Sequence, residues 1–333
     1  MLAQTIDTSM SDTPASKFHL YHEDVLQALD RISDNSIDLV LTSPPYNIGK
    51  AYEKSDRRTV KEYQDWCADI IHRLDKKIKD TGTVCWQVGN YVDSNTVLPL
   101  DYLIYPIFAE LGYKLRNRII WQFNFGLHAR QRLSGRYETL LWLTKSDDYV
   151  FNLEAVRVPQ LYPGKRHSST KGIEKAGRLS GNPKGKNPSD YWEFSGERFF
   201  RNDAVWQLPN VKANHLEHTS HPCQFPVELA ERCVLAFTND GDSVLDPFIG
   251  SGTTAVAALA RGRNAIGIDR DADYIALAKS RIDALRRGDL PVRKAGMGVR
   301  RPRPTEKVAQ VPEDWNGERD GSPDEKKEIE EKA

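Results

Sequence analysis

Cysteine is scarce in this chain of 333 residues: four in all (Cys67, Cys85, Cys223 and Cys233), far apart, with no C-x-x-C pair and no neighbouring histidines at metal spacing. That pattern excludes a disulfide scaffold and a structural zinc, and leads to a reduced, cytoplasmic protein without metal. Net charge is missing too. Lys and Arg number 47 against 47 Asp and Glu, so any nucleic-acid footprint must be local. No apolar run reaches membrane-spanning length, and the first residues lack the basic-then-apolar build of a signal peptide, so no membrane is expected. Internal repeats are absent as well. What remains is an ordinary share of hydrophobic residues, 39%, in a chain long enough for one large domain or two modest ones.

Strands and helices alternate along much of it. "FHLYHEDVLQALDRI" gives a short strand and a helix, and "SIDLVL" a buried strand. "VKEYQDWCADIIHRLDKKIK" is an amphipathic helix, followed by the strand "GTVCWQVG" and the helix "PLDYLIYPIFAELG". Two strand patterns follow, "KLRNRIIWQF" and "RYETLLWLTK". The alternation resumes at "PVELAERCVLAF" and runs to residue 288. Such alternation predicts an α/β fold with a largely parallel sheet, in which Trp86, Trp121 and Trp142 are core residues. Residues 157–186 interrupt it with Gly, Pro and Ser and with eight basic residues against one acid, Glu174. Residues 1–16 and 289–333 are polar and are expected to be disordered, the tail basic at first and then acidic.

Two stretches carry chemistry. In "VLDPFIGSGTTA", Gly250 and Gly252 stand between a strand and a helix, where backbone must turn sharply and approach a ligand closely. Asp269, nineteen residues after Gly250, ends the next strand, where an acid would accept from ribose hydroxyls. The glycines fit NAD and S-adenosylmethionine alike. The second stretch, "LTSPPYNIGK", sets Ser43-Pro44-Pro45-Tyr46 directly after a strand pattern, and hydride transfer has no evident use for it. Methyl transfer to a planar amine does. The lone pair of such an amine is delocalised into its ring, and acceptors aimed at its N–H bonds localise it. Ser43 Oγ and the Pro44 carbonyl, stiffened by the second proline, suit that task, with Tyr46 stacking on the base.

Together, "TSPPY" at 42–46 and "DPFIGSGTT" at 246–254 resemble the bacterial DNA amino-methyltransferases of cytosine N4 and adenine N6. The catalytic motif precedes the cofactor loop, as in the β arrangement of that family, which belongs to restriction-modification systems. "HPCQFP" is similar to the family's element on the methionine side of the cofactor, with Cys223 and Phe225 departing from its pattern. "YHEDVL" is similar to the segment whose acid, here Asp24, contacts the cofactor adenine. The resemblance implies a Rossmann-like, circularly permuted methyltransferase fold with a mostly parallel seven-stranded sheet and S-adenosyl-L-methionine as cofactor. Catalysis falls to Ser43, Pro44, Pro45 and Tyr46. Cofactor binding falls to Asp24, His221, Pro222, Gln224, Asp246, Phe248, Gly250, Gly252, Thr253 and Asp269. Cys223 is assigned to packing, since the amine attacks directly.

On this reading residues 17–156 are the catalytic half of the domain, 157–215 a target-recognition insert and 216–288 the cofactor half. Lys165, Arg166, Lys171, Arg178, Lys184 and Lys186 are the candidates for contacting double-stranded DNA. The target base would have to be flipped out of the duplex. Ser43 favours cytosine, because cytosine-N4 members mostly carry Ser there and adenine-N6 members Asp; Asn47 looks more like the adenine enzymes. A cognate restriction endonuclease, a homodimer and a nucleoid-associated place in the cytoplasm follow from the same resemblance. Two rivals stay open: an amino-methyltransferase of RNA or of a protein glutamine, and a DNA-binding module without catalysis.

Overall fold

The computed structural model describes residues 16–46, 58–93, 95–123, 129–160, 162–168, 175–192, 211, 215–293 and 305. The expectation of disorder for residues 1–15 and for the tail from 294, Thr305 excepted, falls outside them. Residues 1–297 form one compact unit; of a second, residues 298–333, only Thr305 is described.

An eight-stranded sheet organises the first unit. Its strands are β1 (Phe18–His22), β2 (Ile37–Thr42), β3 (Ile78–Val88), β6 (Lys114–Gln122), β7 (Tyr137–Thr144), β8 (Tyr191–Trp192), β9 (Ser243–Asp246) and β10 (Asn264–Asp269). They lie in the order β1-β10-β9-β2-β3-β7-β6-β8. All neighbours are parallel except β7, which runs against both β3 and β6. Seven of these are the strands implied by the resemblance. The two-residue β8 is an addition, made where the chain returns from the basic segment to the free edge of β6. A separate hairpin, β4 (Asn90–Asp93) and β5 (Thr96–Pro99), also went unpredicted.

Both faces of the sheet are covered, because side chains alternate to opposite sides of every strand. Leu39 and Leu41 of β2, with Leu140 and Trp142 of β7 and Val156 of the short α4 (Leu153–Val156), join one core under α5 (Val227–Phe237), α6 (Thr253–Ala260) and α7 (Ala272–Arg287). Ile37, Val40, Trp86 and Leu143 join the other, under α1 (Val25–Leu29), α2 (Val60–Lys77) and α3 (Leu100–Glu110). Trp86, Trp121 and Trp142 are all core residues. Local signals set the helix ends. Thr59 and Glu62 form a capping box on α2, and Asp271 caps α7 through the Asp273 amide.

The crossovers fix where a ligand can bind. From β9 the chain passes through α6 to β10 on one side; from β2 it passes through α2 to β3 on the other. The direction therefore reverses between β9 and β2, and a doubly wound sheet opens a crevice at the carboxyl ends of strands at such a point. Order also extends past 288. The Arg293 amide donates to Glu217 Oε1 at 3.0 Å and its guanidinium reaches Glu228, so residues 289–293 belong to the folded unit.

Candidate active site

Four consecutive parallel strands deliver residues to one edge: β1 leads into Asp24, β10 ends at Asp269, β9 leads into Phe248 and Gly250, and β2 leads into Ser43–Tyr46. Asp24, Pro45, Phe248, Gly250 and Asp269 line a single cleft there, together with His221, Glu23, Arg58, Trp66 and Tyr274. Of the tetrapeptide only Pro45 is part of that lining; Pro44 is buried, and Ser43 and Tyr46 are partly buried beside it. The two stretches singled out in the sequence, about 200 residues apart, thus share a wall. A buried cross-link holds them there: Asp246 Oδ1 accepts from Thr42 Oγ1 at 2.7 Å and from the Phe248 amide at 3.0 Å, while its Oδ2 accepts from Thr254 Oγ1 at 2.7 Å.

The tetrapeptide is clamped from a strand that the sequence reading did not implicate. Tyr46 Oη lies 2.9 Å from Ser43 Oγ and donates to Glu138 Oε2 at 3.2 Å. The same carboxylate oxygen accepts from Gln87 Nε2 at 2.6 Å. Glu138 reaches this place because β7 is the reversed strand, so its first residues stand at the edge where its neighbours end. Gly89 makes room: a Cβ there would stand 3.1 Å from the Tyr46 ring and 3.7 Å from Glu138 Cγ.

The predicted cofactor residues divide into two groups. Asp24, His221, Phe248, Gly250 and Asp269 line the cleft; Pro222, Gln224, Asp246, Gly252 and Thr253 are not part of its lining. Gly250 has φ +46°, and His221 Nε2 occupies a point 2.8 Å from where a Cβ would be. Its amide donates to Asp269 Oδ2 at 3.0 Å, which ties the loop to the end of β10. Gly252, at φ +81°, is needed instead for close packing, since a Cβ would meet Ala278 of α7 at 2.8 Å. Thr253 Oγ1 accepts from the buried Arg281 at 3.1 Å. Gln224 bridges Thr219 Oγ1 and the Glu217 carbonyl and braces the strap that carries His221. Pro222 is exposed. Cys223 is exposed too, which corrects its assignment to packing: the strap turns it outward while Gln224 points in.

Burial dominates the electrostatics of this edge. It raises the Asp246 carboxyl to about 6 against the pull of its three donors, and raises Asp269 as well. It lowers His221 to about 4, so the imidazole over the loop is neutral at physiological pH. The Tyr46 phenol is pushed well above 10, by burial first and by Glu138 second. Rings line one wall, with Trp66 5.5 Å from Phe248 and the Arg58 guanidinium 4.5 Å over Trp66. No periodic signal separated Trp66 and Arg58 from an ordinary helix start, and Glu138 read as a polar residue at a strand entrance.

The basic segment is an antiparallel excursion joined by bridges between Val158 and Lys186 and between Arg166 and Leu179. Lys165, Arg166, Arg178 and Lys184 are exposed along it and Lys186 is partly buried. Lys171 lies outside the described residues. Lys184 shares Glu154 with Arg157, at 3.2 and 2.8 Å.

Comparison with known proteins adds an independent line. The DNA methylase family matches residues 37–280. The chain is 46% identical over 260 residues to the type II methyltransferase M.BglII of Bacillus subtilis, across 78% of this chain and 67% of the relative. It is 34% identical over 274 residues to the type II methyltransferase M.ScaI of Streptomyces caespitosus, across 80% and 81%. Among solved structures, the PvuII DNA methyltransferase (cytosine-N4-specific) aligns with a TM-score of 0.57 at 21% identity, across 80% of this chain and 88% of that one, and shares its fold.

Proposed function

From the premise that the chain belongs to the DNA methylase family of N6 and N4 methyltransferases, we propose that it methylates N4 of cytosine at a specific site in duplex DNA. The observation that carries this is the shared cleft, where Pro45 of the tetrapeptide and Gly250 of the loop face the same space. The methyl donor is S-adenosyl-L-methionine, which supplies a methyl group on a sulfonium when bound. The cleft suits it: Val25, Phe248 and Ile268 offer apolar surface for a purine, and Asp24, Asp269 and Asp271 offer acceptors for hydroxyls and ammonium. A buried carboxylate oxygen with no hydrogen bond, Glu23 Oε2, belongs to a residue of the same wall. A neutral His221 adds no positive charge beside a cationic ligand.

Asp24 and Asp269 are assigned to the nucleoside, Phe248 and Gly250 to close contact with it, and His221 to the methionine side. Asp246, Gly252, Thr253, Pro222 and Gln224 act by holding the loop and strap. Ser43 Oγ and the Pro44 carbonyl accept from the amine of the target base, concentrating its lone pair toward the methyl group. Tyr46, fixed at its hydroxyl, offers its ring to a base flipped from the duplex. Residues 157–215 face the DNA, with Lys165, Arg166, Lys171, Arg178, Lys184 and Lys186 as its contacts. The reading extends to a homodimer, a cytoplasmic, nucleoid-associated place of action and a cognate restriction endonuclease, the last supported by the type II names of both relatives.

The test is to incubate the protein with labelled S-adenosylmethionine and mixed-sequence duplex DNA, digest to nucleosides and identify the product. N4-methylcytosine is expected. N6-methyladenine would keep the mechanism and overturn the choice of base; cofactor binding with unlabelled DNA would overturn the substrate.

A further inference from the structure

We infer that Glu138 is a positioning residue for methyl transfer: its carboxylate sets the direction of the hydrogen bonds through Tyr46 to Ser43, and so reserves the lone pairs of Ser43 for the target amine. The inference rests on the role proposed above for Ser43 and extends it to a residue on another strand.

A serine hydroxyl can donate or accept, and only the second helps an amine to attack. Left alone, Ser43 would rotate among both. The structure removes that freedom in two steps. An ionised carboxylate only accepts, so the 3.2 Å contact between Tyr46 Oη and Glu138 Oε2 consumes the phenolic proton. With its proton committed, Tyr46 Oη can only accept within the 2.9 Å contact to Ser43 Oγ, so Ser43 must be the donor. Its proton then points at Tyr46, and its lone pairs are left to accept from the N–H groups of a target amine brought up beside Pro45.

Gln87 shows how firmly the carboxylate is held. Its Nε2 donates to Glu138 Oε2 at 2.6 Å, which fixes the amide orientation, while its buried Oε1 is left without a hydrogen-bond partner. Glu138 stands beside Gly89, one register step beyond the Val88–Thr139 pair, and a side chain at Gly89 would crowd the Tyr46 ring that links the two groups.

The experiment is a double-mutant cycle on the full chain, reading the single-turnover rate of methyl transfer at saturating DNA and cofactor. Glu138→Gln keeps the shape but removes the charge, and is expected to slow transfer roughly tenfold to a hundredfold while cofactor and DNA dissociation constants stay within about twofold. In a Tyr46→Phe background, where the link is gone, the same change should cost less than about threefold. Equal losses in both backgrounds, or a loss that appears in binding, would overturn the inference. A readout independent of catalysis is the 13Cζ resonance of Tyr46, which responds to the hydrogen bond the phenol donates. It should move in Glu138→Gln, and an unmoved resonance would overturn the positioning role even in a protein that proved not to methylate DNA.

Discussion

The cleft and the basic excursion are built on opposite plans. Around the cleft, residues distant in sequence are joined by side-chain bonds away from solvent: Thr42 to Asp246, buried, and Tyr46 to Glu138, partly buried. Among the described residues of 157–192 the ties are mostly backbone bonds, such as the Lys186 amide to the Val158 carbonyl, and most side chains are exposed, with Val158 buried in the core. A site that must hold reacting atoms needs long-range anchors, since a displacement of about 1 Å can cost a hundredfold in rate. A surface that meets phosphates needs charge and reach, and tolerates a looser frame.

The sharpest break in this comparison comes from Ser43→Ala. It removes the proposed acceptor and leaves the anchors intact, so methyl transfer should fall by roughly a hundredfold to a thousandfold with cofactor affinity unchanged. Isothermal titration of the cofactor alongside single-turnover kinetics checks both halves. An activity loss matched by lost cofactor binding would assign Ser43 to structure.

Next in size is the pH dependence of the anchor itself. Burial lifts Asp246 to about 6, above the 3.8 of an unfolded chain. The native state therefore holds this proton more tightly, so the group's contribution to stability is complete below about pH 3.8 and is lost as pH rises through 6. Two units correspond to about 3 kcal/mol at most. Asp246→Asn keeps an oxygen for Thr42 and the Phe248 amide and removes the titration. The stability of the wild type relative to this variant, from urea unfolding, should decline between about pH 4 and 7. A flat difference would mean that the three donors cancel the effect of burial.

Gly250→Ala tests the loop. The new methyl would need a left-handed backbone, at about 1–2 kcal/mol, and would displace His221 as well. Cofactor affinity should drop roughly tenfold to a hundredfold, measured by titration. The basic excursion should not notice: DNA binding without cofactor is expected to stay within twofold.

These residues differ in how much of their role could be seen beforehand. Gly250 and Asp269 were legible because the demand on them is local: a turn after a strand, and an acid at the end of the next. The placement of Ser43–Tyr46 at the end of β2, with Pro45 on the cleft, was legible because two prolines after a strand pattern need a reason. Glu138, Gln87 and Trp66 were not. Their place depends on which strands become neighbours, and nothing in "RYETLLWLTK" says that its strand will run in reverse and present its first residues to the cleft. Gly252 was legible as a required glycine, but its reason, contact with Ala278 on α7, lies in helix packing. The same holds for Arg293, which reads as one of a basic cluster and is tied to the buried Glu217 and Glu228.

The smallest effects are expected in the excursion, where they sort by what each cation already touches. Lys165 and Arg178 are exposed, and each replacement by Ala should weaken duplex binding severalfold and reduce the slope of log K against log salt by about 0.9. Lys184 is different, because Glu154 lies 3.2 Å away and is shared with Arg157. Part of its charge is neutralised within the protein, so Lys184→Ala should change the slope by less than Lys165→Ala does. Fluorescence anisotropy of a labelled duplex across a salt series measures this, with cofactor affinity as the control that should stay constant. Equal slopes for the two variants would mean that DNA displaces Glu154. An unchanged slope for Lys165→Ala and Arg178→Ala together would move the duplex off this surface, and leave the cleft to be reached from another side.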